Sequence, residues 1–166
     1  MNPRRLLLAT LFGVAMGFLE SAVVVYLRLL YYPHGFVFPL VPLPASVVGV
    51  EVAREAATLV MLVTAAGLIG RTGWARFGWL CYLFGLWDIV FYAGLKITLG
   101  WPASLLTWDI LFLIPVPWTG PVLAPLITSV ALVFGGLSIV HFEEGRREHV
   151  RVLPLDWALV GVSLVL

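Results

Sequence analysis

"LLLATLFGVAMGFLESAVVVYLRLL" runs from Leu6 to Leu30 and decides the class of fold. Its only charged residues are Glu20 and Arg28. At 1.5 Å of rise per residue, a helix of this length crosses a hydrocarbon core of about 30 Å with some tilt. Arg4 and Arg5 precede the run, as they would in a signal peptide. The apolar stretch continues past Glu20, however, and no A-x-A-like cleavage site stands out, so it reads as a first spanning helix.

The rest of the chain agrees with that reading. Of its 166 residues, 61% are hydrophobic and 11% charged, and the mean hydropathy is +1.04. Soluble domains carry roughly 25% charged residues. The expected fold is therefore an all-α polytopic membrane bundle in a single transmembrane domain. A net charge of +1 gives no sign of an acidic partner. No basic patch is interleaved with aromatics, so nucleic acid is excluded and the lipid bilayer is the expected partner. The lone Cys81 has no second cysteine to pair with.

Proline and glycine punctuate the remainder. Spanning helices are expected over 6–30, 46–69, 74–99 and 122–140, with Ser46 as N-cap of the second and Pro125 in the first turn of the fourth. Between the last two, Ser104 is read as the cap of an outer half-helix over 104–114, too short to cross, which "PVPWTGP" ends. The stretch after Val140 is charged and read as solvated. A last apolar segment, 153–166, is shorter than a span. It either continues beyond Leu166, lies in the interface or half-inserts.

Basic residues set the expected orientation. Arg4, Arg5, Arg71, Arg76, Arg146, Arg147 and Arg151 fall on one side, which is expected to be cytoplasmic, in a plasma (inner) membrane. The opposite connectors, 31–45 and 100–120, contain no Lys or Arg. Trp74 and Trp79 are expected at the inner interface, and Trp101, Trp108 and Trp118 at the outer one.

The remaining ionisable residues carry the functional reading. Arg28, Glu51, Arg54, Glu55, Lys96 and Asp109 belong to the outer leaflet, with Glu20 and Asp88 deeper. An unpaired charge at a helix centre costs on the order of 2.5–3.5 kcal/mol on insertion scales, so these groups must face one another or water. Glu51 and Glu55 share a helix face with Arg54 beside them. Glu20 and Arg28 lie on one stripe, and Asp88, Tyr92 and Lys96 on another, with Tyr92 placed to bond either neighbour. "WDIVFY" (87–92) and "WDILFL" (108–113) look alike, but six residues are more simply a chance likeness than a duplication. Asp88 is expected near the bilayer middle and Asp109 near the interface, where water reaches it, so Asp88 should carry the greater burden.

Two readings compete for these charges. They are structural ion pairs that fix helix register, or they form an outward-facing pocket that binds or translocates a proton, ion or small polar solute. A membrane-embedded enzyme is the first alternative, with Glu55 or Asp88 as general acid/base and Trp87, Phe91 and Trp108 walling a lipid-like substrate. An accessory subunit of a larger membrane complex is the second. No cofactor is expected. The three histidines do not pair across helices, and Arg28, Arg54 and Lys96 neutralise the carboxylates that a metal would need. His34, in the first outer loop, is read as solvated or as a proton-responsive group at the pocket mouth. Finally, Ala9, Gly13, Gly17 and Ser21 form a small-residue ladder suited to close helix contact, either within the chain or in a homodimer.

Overall fold

In the computed structural model, residues 2–146 are described. Four long helices account for most of them: α1 (Pro3–Tyr31), α2 (Ala45–Ile69), α3 (Gly73–Leu99) and α4 (Leu123–Val140). All four are long and apolar enough to cross a membrane, and the chain is a helical membrane-protein bundle. Large apolar side chains such as Leu19, Leu30, Leu68, Ile97 and Phe134 lie exposed on its outside. Apolar residues all round a helix are what a lipid-facing span requires. The segment 153–166 lies outside the described residues.

Local chemistry places the helix ends. Asn2 accepts a hydrogen bond from the Arg4 amide at 2.9 Å, with Pro3 in the first turn of α1. Thr72 caps α3 by accepting from the Ala75 amide at 3.1 Å. Gly100 ends α3 in the left-handed region at φ 67. Ser46 does not cap α2. That helix starts one residue earlier, after Pro44, without any side-chain cap. Beyond Val140 the chain stays helical, as a π turn over His141–Arg146.

The helices run up and down with α3 in the middle, packed against α4 and α1 and less extensively against α2. With no water to expel in the bilayer, close approach of backbones drives such packing. The ladder on α1 serves this end. Ala9, Gly13, Gly17 and Ser21 are all buried. A Cβ at Gly17 would sit 2.7 Å from the Trp87 carbonyl oxygen and 2.8 Å from Val90 Cβ. α3 answers with Gly94 against Ser21, and it meets α4 through Gly78 and Gly85 facing Gly136 and Ser129. The ladder's face is therefore filled within the chain by α3. Trp79 packs in the core with Leu83, Leu62 and Val140 rather than at an interface.

The half-helix expected over 104–114 is instead a β-hairpin. β1 (Trp108–Phe112) pairs antiparallel with β2 (Trp118–Pro121). A helix here could not run on, because Pro115 and Pro117 fall where it would have to continue. What remains, "WDILF", is aromatic and β-branched at the strand positions. "PVPWTGP", expected only to stop a helix, supplies the turn and the second strand. Amide bonds from Val122 to the Thr107 carbonyl (3.0 Å) and from Leu123 to the Leu105 carbonyl (2.8 Å) fasten its base to the start of α4. Phe112 lays the hairpin on α3, ring to ring with Phe84 and Trp87.

Candidate functional site: a charged cavity under the hairpin

The hairpin roofs a cavity of about 190 Å³ bounded by α1, α2 and α3. Seven of the nine side chains singled out in the sequence line it: Glu20, Arg28, Glu51, Arg54, Glu55, Asp88 and Asp109. Loop residues Tyr32, Phe36 and Leu43 also line it, so it reaches the hairpin end of the bundle.

The partners differ from those the helical stripes suggest. Glu20 and Arg28 share a wall but do not pair. Glu20 crosses to α2, where it meets the Arg54 guanidinium and accepts from the Thr58 hydroxyl. Arg54 also donates to Glu51 through Nη2 at 2.8 Å and Nε at 3.1 Å. One arginine thus serves two carboxylates, and this cluster ties α2 to α1. Arg28 reaches the other way, its Nη2 lying 2.9 Å from Asp109 Oδ1 on β1. Its guanidinium packs against two mutually perpendicular rings, 4.3 Å from the Phe36 centroid and 3.6 Å from that of Trp101. Among the described residues Glu55 forms no ion pair. Its carboxylate accepts from the Leu113 amide at 2.9 Å and the Ile114 amide at 2.9 Å, satisfying backbone donors at the end of β1.

Asp88 accepts from the Ser129 hydroxyl of α4 at 2.7 Å. It does not couple to Lys96. Lys96 is exposed and turned away, its Nζ donating to the carbonyls of Gly100 (3.1 Å) and Pro102 (2.8 Å) beyond the end of α3. An ammonium at a helix C-terminus is favoured by the carbonyls left unsatisfied there. Tyr92 does not bridge the two either. Its buried hydroxyl lies on the side of Asp109. Asp109 is not a water-exposed interfacial residue but is more buried than Asp88, because the hairpin folds it inward over Arg28. Burial pushes the Asp109 carboxyl upward from its ordinary value, and the Arg28 guanidinium opposes that shift.

Trp87 and Phe91 line the cavity as expected of an apolar wall. Trp108 does not. It is exposed on the outer face of the hairpin, as is Trp118. His34 is not among the lining residues. Sequence reasoning missed Thr58, Ser129, Phe36 and Trp101. Thr58 had a readable signal, since it falls one turn after Arg54 on the same face of α2. Ser129 had none, because a serine in an apolar helix ordinarily bonds its own backbone.

No protein-family model, curated protein or solved structure matches this chain. The functional reading therefore rests on the cavity itself.

Proposed function

We propose that this membrane protein binds a small polar-headed solute in the cavity under the hairpin, from the outer side of a plasma (inner) membrane. One observation carries the reading. Charged side chains from three helices and a hairpin gather on a single cavity, where simple register pairing would have left them packed against one another. The arrangement is also uneven in charge, with five carboxyls facing two guanidiniums, and among the described residues Asp88 and Glu55 hydrogen-bond neutral partners. Such a site takes a proton, a cation or a neutral hydrogen-bonding head more readily than an anion. The orientation draws on arginine placement: Arg5 pairs with Glu144, which also accepts from the Arg71 backbone amide, at the end away from the hairpin, while the connectors at the hairpin end hold no Lys or Arg.

A second reading has its own support. Asp88 lines the cavity beside the apolar rings of Trp87 and Phe91. That is the placement a general acid/base would need in an enzyme acting on a lipid-like substrate.

Val24→Trp tests the binding reading, because Val24 lines the cavity and the change fills it without removing a charge. Native mass spectrometry of the protein in nanodiscs should show a retained small molecule that the variant loses. Proton or solute flux in proteoliposomes should fall with it if binding serves translocation. Indistinguishable bound mass and flux in the two proteins would leave only structural ion pairs. Turnover of a bound lipid, abolished by Asp88→Asn, would favour the enzyme.

A further inference from the structure

We propose that the head of the bound molecule is a neutral hydroxyl, held between Arg28 Nη1 and Asp109 Oδ2, on a ligand whose body is an apolar chain. The inference rests on the reading of the cavity as a ligand site and names the chemistry of its occupant.

Arg28 is 7% exposed and Asp109 2% exposed, and both line the cavity. Arginine and carboxylate commonly join by two parallel hydrogen bonds. Here they join by one, from Nη2 to Oδ1. Among the described residues, Nη1 and Oδ2 are left buried with no hydrogen-bond partner. The Tyr92 hydroxyl and the Ile110 amide lie near the same carboxyl, but neither hydrogen-bonds Oδ2. The pair therefore offers one free donor and one free acceptor, a combination that buried groups do not ordinarily leave unmet.

The chemistry of the match is narrow. A hydroxyl oxygen accepts from Nη1 while its proton goes to Oδ2. A carboxylate or phosphate could accept from Nη1 but would face Asp109, Glu20 and Glu51. An ammonium could donate to Oδ2 but would face Arg28. The Phe36 and Trp101 rings, set edge to face against each other, both contact the guanidinium, so it is held in place before a ligand arrives. The surrounding wall, including Val24, Leu27, Val48, Phe91 and Phe112, is apolar and fits a hydrocarbon chain. A membrane alcohol and a water-soluble polyol share the hydroxyl, and only the first fills that wall.

The test uses the full chain in nanodiscs and a matched set of probes: 1-dodecanol, dodecylamine, dodecanoate and glycerol. Dodecanol should raise the unfolding midpoint saturably, binding at least about tenfold more tightly than the amine or carboxylate of the same length. Glycerol should have no comparable effect; a saturable glycerol shift with none from dodecanol would overturn the apolar body. Arg28→Lys keeps the charge but loses the forked second nitrogen, and it should weaken dodecanol binding about tenfold while leaving the amine unaffected. If that variant does not fold, the wild-type probe series decides alone. An equal or stronger response to the amine or carboxylate, or no response to any probe, overturns the hydroxyl assignment. Should the small molecule displaced by Val24→Trp persist in that last case, the cavity remains a ligand site and only the head-group chemistry falls.

Discussion

Arg28 and Asp109 meet at 2.9 Å across 81 positions of sequence, joining the end of α1 to the first strand of the hairpin. Because both are buried, removing one charge strands the other. Breaking a buried pair from one side costs about 3–5 kcal/mol. Asp109→Asn should therefore destabilise the protein by about that much. Asp88→Asn should cost nearer 1 kcal/mol, since the amide oxygen can still accept from Ser129. Unfolding in detergent measures both, and the opposite order would contradict the partners assigned to the two acids.

Gly17 tests the seam between α1 and α3. A side chain there collides with the Trp87 carbonyl and Val90. Gly17→Leu should cost about 1–3 kcal/mol or more from overpacking, at unchanged oligomeric size, because the contact lies within the chain. Gly94→Leu is no neutral comparison, since Ser21 fills that space. Gly67→Leu is, as nothing lies within 4 Å of its Cβ. Dissociation of an oligomer by Gly17→Leu would show that the face has a second use.

Glu55 is the latch of the hairpin. Glu55→Leu frees the Leu113 and Ile114 amides from their acceptor. An orphaned donor costs roughly 1–3 kcal/mol, so exchange of these amides with deuterium should quicken by about tenfold or more. Amides in the middle of α3 should be unaffected. Unchanged exchange at 113 and 114 would mean that Phe112, the Arg28 pair and the backbone bonds at its base hold the hairpin without Glu55.

Orientation is tested by cysteine labelling in a Cys81→Ser background. Gly35 lies in the loop at the hairpin end, and Arg71 between α2 and α3 at the other. An impermeant thiol reagent applied to intact cells should label Gly35→Cys and not Arg71→Cys. The reverse pattern would turn the protein over and place the cavity mouth in the cytoplasm.

The sequence made the four spans legible because each is an apolar run between proline, glycine or arginine signals. It also made the cavity's charges legible, since an ionisable residue in such a run must find a partner. It did not reveal which partner. Stripes of eight along one helix suggested Glu20 with Arg28 and Asp88 with Lys96, but each acid bonds a residue on another helix. Inter-helix distances are set by where Gly17, Gly85 and Gly94 let backbones touch, which periodicity within one helix does not encode. The clearest failure is the repeated hexapeptide. "WDIVFY" is helical in α3, whereas the corresponding residues of "WDILFL" form β1. Nearly the same residues take both conformations, so the choice comes from their surroundings. Prolines at 115 and 117 deny the second copy the continuous helix that the first one has.

The two acids in the interiors of α1 and α3, Glu20 and Asp88, give the sharpest test of those partners. Glu20 faces Arg54 and Thr58 across the α1–α2 gap, where little packing competes to hold α2. A double-mutant cycle on Glu20→Gln and Arg54→Met should therefore show a coupling energy of about 1–3 kcal/mol, the range for residues in one buried network. The same cycle on Asp88→Asn and Lys96→Met should give about zero, because Lys96 bonds the carbonyls of Gly100 and Pro102 beyond the end of α3. Arg54→Met also strands Glu51, so Glu51→Gln with Arg54→Met serves to separate the two carboxylates sharing that arginine. Thermal unfolding in detergent reads all three cycles. Coupling of Asp88 to Lys96 comparable with that of Glu20 to Arg54 would mean that Lys96 turns inward to reach the cavity, and the arrangement of charges around it would have to be redrawn.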